Sequence, residues 1–362
     1  MCFKSKEIKS IIVSLNKDGD CNFCRGRNVK IYDLDQDEGL DELFNLVLSV
    51  FEEKENLLPE GYPSGKLISI KYEFEKNWNI FNNYSRENVH SFLTELLKRN
   101  YPEKIPMLDD QVGIREWMND AFLEANSVLK GITWKEFVKY IKYENRFHSN
   151  YINLEVLEEY IHKFSVVISN KTYHRARISN EEELSMPGDL SAPPKEIATA
   201  GRANSEGIRH LYLANSSETA ISEIRPSIGD TVFIGEFQVA SSQELKVVDF
   251  RLLKNLDVFE SLEDAPTKFA INLETLDEIR RAISKPVRSG DSKLDYLPTQ
   301  FIVDFIKSLN NSKGVGYQGI IYESTLYPSG YNMMIFDPEI LTCTYIEKRV
   351  IKTLHYTHDS YT

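Results

Sequence analysis

Between Gly201 and Glu223 the chain reads GRANSEGIRHLYLANSSETAISE, and three side chains in this stretch are suited to chemistry. Arg202 offers a planar guanidinium that can take two anionic oxygens at once. Tyr212 offers a flat ring and a hydroxyl donor. Glu223 offers a carboxylate that can stabilise positive charge developing in a transition state. Gly201 and Gly207 allow the backbone to approach a ligand closely. Far downstream, GIIYES places Ser324 at the end of an apolar strand, where its hydroxyl could reach the same ligand. Ser324 lacks an obvious paired His, so it does not read as a nucleophile. Singly, each residue has an ordinary role open to it. Tyr212 could face solvent from a strand whose other face is core, Glu223 could be a surface charge beside Arg225, and Arg202 could hold a loop salt bridge.

These residues need a turn, a strand and a helix to carry them, and the chain supplies such elements in three regions. Residues 1–36 hold Cys2, Cys21 and Cys24 and an expected strand at Val29–Tyr32. Residues 37–165 read as helical. Leu40, Leu43, Phe44, Val47 and Phe51 follow helical spacing, as do Val89, Phe92, Leu93, Leu96 and Leu97 behind the N-cap Ser85. Thr133 and Glu136 form a capping box for a helix burying Phe137, Ile141 and Trp134, and a further helix is predicted over Leu154–Phe164. From about 166 the pattern turns β-like, with strands at His210–Ala214, Thr231–Val239 and Leu245–Phe250. A helical insertion over Leu252–Leu309, interrupted at Lys285–Asp291, precedes a hairpin of Gly319–Tyr322 and Tyr331–Phe336. Leu211, Leu213, Ile221, Ile320 and Ile321 read as core. The expected fold class is α+β, with catalytic residues in 166–350 and a tail at 351–362.

YHRAR (Tyr173–Arg177), APP (Ala192–Pro194), the Gly201–Glu223 stretch, Asp295–Gln300, GIIYES and Asn332 stand in an order that resembles the RES domain family. The resemblance covers about residues 170 to 340. It implies an ADP-ribosyltransferase-like fold with a split β-sheet, and an enzyme that cleaves the nicotinamide–ribose bond of NAD⁺. Loss of nicotinamide passes through an oxocarbenium-like ribosyl transition state, which suits a carboxylate. The resemblance makes Arg202, Tyr212, Glu223 and Ser324 the catalytic set, with Asn332 and one arginine of the YHRAR run, Arg175 in preference to Arg177, binding substrate. Phosphate or water is then the acceptor, and a toxin or phage-defence role, an antitoxin or regulatory partner and a homo-oligomer are implied. Two other readings are a mono-ADP-ribosyltransferase acting on a protein and a non-catalytic binding module. Ala203 departs from the aromatic residue that many relatives carry after the Arg. Arg86–His90 and Arg146–His148 resemble the Arg/His pairs of HEPN ribonucleases, which can accompany RES domains, but both spacings are too short.

Composition sets the outer limits. A hydrophobic fraction of 41% with 27% charged residues is that of a globular protein, and no apolar run is long enough for a membrane span. The net charge of −12 opposes a nucleic-acid partner. MCFKSKEIKS is not a secretory signal, and four cysteines are too few for a disulfide scaffold, so a cytoplasmic setting is expected. Cys21-Asn-Phe-Cys24 followed by Arg-Gly has the shape of a zinc knuckle, with Cys2 as a third ligand and the fourth unassigned. Gly314-Val-Gly316 lacks the further Gly and helix start of a Rossmann fingerprint, so NAD⁺ would be consumed as a substrate rather than held by a Rossmann domain. Cys343 is expected to be a buried strand thiol.

Overall fold

Period-two alternation in the C-terminal half builds one mixed sheet of eight strands. They are β1 Ser165–Ile168, β2 Lys171–Ile178, β3 Leu211–Ala214, β4 Thr231–Val239, β5 Leu245–Asp249, β6 Gly319–Glu323, β7 Tyr331–Ile335 and β8 Cys343–Val350. Their spatial order is β8-β4-β2-β3-β7-β6-β5-β1. The β5–β6 pair is parallel, and the other neighbours are antiparallel. Among the described residues β2 meets β3 at His174 and Ala214 alone, so the sheet splits there into a three-stranded and a five-stranded part. This computed structural model describes residues 2–78, 80–82, 84–180, 182–256, 258–259, 266–286, 290, 292–312 and 316–354. Parts of the expected Lys285–Asp291 interruption, of the 313–315 stretch and of the C-terminal tail therefore lie outside the described residues.

The α+β class expected from the sequence is the one observed. Leu211, Leu213, Ile321, Met333 and Ile335 lie on one face of the central strands, in an apolar cluster with Tyr173, Phe233, Phe237 and Val247. On the other face, helix Ser217–Ile224 brings Ala220 against Ala176, Ala214, Val232 and Ile234. Cys343 is the buried strand thiol that was expected. Strand β2 had no clear β signal in its sequence, because KTYHRARI buries little beyond Tyr173 and Ala176. Its full-length pairing with β4 holds it in the sheet.

Contacts divide the chain into two units. The first comprises Met1–Ile132, Tyr151–Asn153 and Leu252–Leu276, and the second comprises Thr133–Asn150, Leu154–Arg251 and Asp277–Thr362. The boundaries expected at 36 and 165 do not coincide with this division, for packing reasons. The Thr133 capping box opens helix Trp134–Tyr143 as predicted, but Phe137 packs edge-on against Phe301, 5.8 Å away, and Lys142 pairs with Asp295. Conversely, Val258, Phe259, Phe269 and Ile271 join the apolar cluster of the first unit. Helix Leu40–Leu48 stops three residues before Phe51, which is buried beyond its end, while helix Arg86–Leu97 buries all five predicted residues.

Phe44 is fully buried, with ring contacts to Phe74, Phe81, Phe92 and Phe259. Phe44→Ala is expected to cost about 3–5 kcal/mol, since so many rings cannot all close on the void. Denaturant unfolding of the full chain measures this.

Candidate active site

Three strands present the centre of the site. In the β3–β7–β6 ladder, Asn332 stands opposite both Ala214 and Tyr322, and Tyr212 lies two residues from Ala214. Alternation therefore puts Tyr212, Asn332 and Tyr322 on one face and the leucine, isoleucine and methionine set on the other. These three residues line a cavity of about 440 Å³ together with Arg202, Glu223, Arg225 and Lys285. Burial pushes the Tyr212 hydroxyl above its ordinary pKa. Burial, then the neighbouring Tyr212 and Glu223, does the same to Tyr322. Both hydroxyls therefore stay protonated near neutral pH.

Arg202 sits in a tight loop. The Gly201 N–H donates to the Asn204 carbonyl at 2.9 Å, and a Cβ on Gly201 would come within 2.9 Å of Asn204 Oδ1, so glycine is needed there. Asn204 Nδ2 donates to the carbonyls of Thr199, Ser205 and Ile208, and its Oδ1 accepts from the Tyr212 hydroxyl at 2.6 Å. Gln300 Nε2 donates to the carbonyls of Gly201 and Asn204, and Thr299 Oγ1 donates to that of Arg202. The Arg202 guanidinium is buried, donates to the Pro286 carbonyl at 3.2 Å and lies 5.2 Å from the centre of the Tyr296 ring.

Glu223 lies in the last turn of helix Ser217–Ile224, which Ser216 caps by accepting from the Thr219 N–H. Its Oε1 accepts from Ser324 Oγ at 2.7 Å and from Asn332 Nδ2 at 2.8 Å. Ser324 follows β6, and its Oγ also accepts from the N–H groups of Leu326 and Tyr327. The hydroxyl is therefore committed to holding the carboxylate and its own turn. Arg202, Tyr212, Glu223, Ser324 and Asn332 come together as one constellation. Arg175 stands apart from it: on β2, its Nη1 donates to the Tyr212 carbonyl at 3.1 Å, and it is not among the residues lining the cavity. The sequence reading passed over Asn204, Tyr322, Ser284 and Lys285. Thr299 and Gln300 had a signal in the Asp295–Gln300 run, whereas Ser284 and Lys285 had none.

A second group lies in the first unit. Phe3 pairs with Phe81 across an isolated bridge, and the Asn82 N–H donates to the Cys2 carbonyl at 2.7 Å, which pins the N-terminal segment. Phe3 and Phe23 both pack against Phe92, bringing Cys2 to the turn that carries Cys21 and Cys24. That turn closes the short ladder of Asp18–Gly19 with Val29–Lys30, with Arg25 in the left-handed region at φ 56°. The expected strand at Val29–Tyr32 is thus shorter than predicted. The three sulfur atoms lie within 4.8 Å of one another, with Cys2 and Cys21 3.4 Å apart. The Cys24 N–H points at Cys21 Sγ, 3.5 Å away. Burial pushes the Cys2 thiol up to about 12. At Cys24 burial is outweighed by hydrogen bonds from the Gly26 backbone and the other two thiols, which hold its pKa below the ordinary value. The Arg/His pairs serve local roles or face solvent: Arg86 binds Glu75 and His90 Nε2 lies 3.0 Å from Asp109, while Arg146 and His148 are exposed.

The RES domain family matches residues 173–359, just over half of the chain, and the protein belongs to that family. The matched region contains every residue of the β3–β7–β6 constellation and leaves the helical N-terminal part outside it. No curated protein matches the chain. Among solved structures, the crystal structure of the M. tuberculosis MbcT–MbcA toxin–antitoxin complex is similar at 14% identity and a TM-score of 0.30. The match covers 54% of this chain and 92% of that one. No helix among the described residues is long and apolar enough to cross a membrane.

Asn204→Ala leaves the Tyr212 hydroxyl without its acceptor and takes a donor from three carbonyls, of which Ser205 keeps the Ile208 N–H. It is expected to lower stability by about 1–3 kcal/mol. Tyr212→Phe should cost less in the Asn204→Ala background than in the parent, and a double-mutant cycle by denaturant unfolding checks this coupling.

Proposed function

We propose that the cavity binds NAD⁺ and that the protein cleaves its nicotinamide–ribose bond. The observation that carries this reading is the Glu223 carboxylate, held by Ser324 and Asn332 at a cavity that also presents Arg202 and two tyrosine rings. In the reaction the C–N bond breaks, its electron pair leaves with nicotinamide, and the ribosyl carbon becomes oxocarbenium-like. Glu223 faces that charge, and the two donors fix its orientation before the reaction, so little reorganisation is needed. Arg202 holds anionic oxygens of the dinucleotide. Tyr212 and Tyr322 offer ring faces, and Tyr322 a hydroxyl donor, since the Tyr212 hydroxyl proton is engaged by Asn204. An oxygen of water or phosphate then bonds to the ribosyl carbon. Water loses its proton to give ADP-ribose, whereas phosphate gives the phosphorylated ADP-ribose. A toxin or defence-effector role, an antitoxin or regulatory partner and self-association belong to the same proposal and rest on family membership alone.

The test is a time course of NAD⁺ loss with and without phosphate, with products identified by mass. Glu223→Ala is expected to lower turnover by about 10²–10³-fold without unfolding the domain. Arg202→Ala should also lower it. NAD⁺ loss unchanged in both variants would end the enzyme reading. Label from NAD⁺ fixed on a protein in cell extract would instead indicate ADP-ribosyl transfer.

We also propose that Cys2, Cys21 and Cys24 hold a structural zinc ion. Three sulfur atoms at mutual ligand distance, with a backbone N–H directed at Cys21 Sγ, suit a thiophilic ion. Among the described residues no fourth His, Cys, Asp or Glu joins them, so water or another ligand completes the tetrahedron. Metal analysis of the purified chain is expected to find about one zinc per chain, reduced by Cys21→Ser, and a chelator should lower the melting temperature. A metal-free protein whose melting is indifferent to added zinc would refute this.

A further inference from the structure

We propose that Arg225 and Ser284 form a diphosphate-binding subsite in the same cavity, a role that extends the NAD⁺ reading and rests on it. Neither residue had a function in the sequence pattern, and two unrelated peculiarities of the structure single them out.

Arg225 caps helix Ser217–Ile224 with φ 47° and ψ 59°, in the left-handed region. A helix end of this geometry favours glycine, because the Cβ of any other L-residue crowds the neighbouring carbonyl. A strained arginine at such a position points to use of its side chain, and that side chain lines the cavity two residues from Glu223. Ser284, the last residue of helix Pro266–Ser284, lines the same cavity. It is 7% exposed, and its Oγ has no hydrogen-bond partner among the described residues. A buried hydroxyl without a partner is costly, and a ligand oxygen in the cavity would supply one.

Charge identifies the chemistry of that oxygen. The cavity presents three cationic groups, Arg202, Arg225 and Lys285, against the single carboxylate of Glu223. This local excess of positive charge sits in a chain of net charge −12. A doubly charged diphosphate fits such a setting, with the arginine forks taking its oxygens and the serine donating one further bond.

The experiment titrates ADP into the full-length protein by calorimetry, for the parent, Arg225→Gly, Arg225→Asn and Ser284→Ala. The parent should bind. Arg225→Gly and Arg225→Asn should each weaken binding by at least about tenfold, the loss of one charge-assisted contact. Their melting temperatures should be unchanged or raised, because Gly and Asn accept a positive φ. Ser284→Ala should weaken binding several-fold without lowering the melting temperature, since it removes an unpartnered buried hydroxyl. A parent that does not bind ADP overturns the subsite, and a variant with parental affinity removes its residue from it. The KM for NAD⁺ separates this proposal from the one before. Parental KM values in all variants of a protein that does consume NAD⁺ sink the subsite alone. ADP binding lost in the variants of a protein that leaves NAD⁺ intact sinks the cleavage reading alone.

Discussion

The site depends on the register of three strands. Leu211, Leu213, Met333, Ile335 and Ile321 must face the apolar cluster, and with a side-chain period of two this forces Tyr212, Asn332 and Tyr322 to the other side. A slip of one residue would bury the polar set and expose the apolar one. The hydrophobic effect, which has no preference for any ligand, therefore orients the chemical groups. The strand order adds the second requirement. β7 lies between β3 and β6, so it brings Asn332 from 109 positions away, and β6 ends in Ser324 from 101 positions away, to the same oxygen of Glu223.

Around that ladder, hydrogen bonds to the backbone carry the loop of Arg202. Asn204 works in both directions at once, accepting from Tyr212 and donating to three carbonyls, and Gln300 closes two more. An irregular loop can be buried only when its carbonyls and N–H groups find partners, and these two amides supply them. The guanidinium is therefore presented by a rigid support, as a binding group must be if it is to fix a ligand's position.

Charge is distributed against the average. The chain is strongly acidic, yet its cavity is cationic apart from Glu223. In a cleft with low-dielectric walls such a local field outweighs the distant surface charge, which salt screens. The thiol group of the first unit rests on different physics. There the spacing of Cys21 and Cys24 marked a pair in sequence, and aromatic packing of Phe3 and Phe23 on Phe92 brings the distant Cys2 to it.

Local patterns made part of this legible. Helical spacing at Val89–Leu97, the Thr133 capping box and the strand at Thr231–Val239 depend on interactions a few residues apart, and they stood where the sequence put them, while the strand expected over Tyr331–Phe336 ends one residue sooner, at Ile335. The residue types at Arg202, Tyr212 and Glu223 marked them as candidates, and the fold brings them to one cavity, with Ser324 bonded to Glu223. Strand β2, the exchange of Leu252–Leu276 and Thr133–Asn150 between units, and the wall formed by Ser284 and Lys285 had no local signal, because long-range partners decide them. Arg175 shows the same limit: its type suited a ligand, but the fold set it against the Tyr212 carbonyl. The sequence by itself determined which groups were present and which faces were apolar, since those follow from side-chain chemistry and short-range periodicity. The tertiary structure alone decided which of them share a cavity, since that depends on strand order and on contacts more than a hundred residues apart.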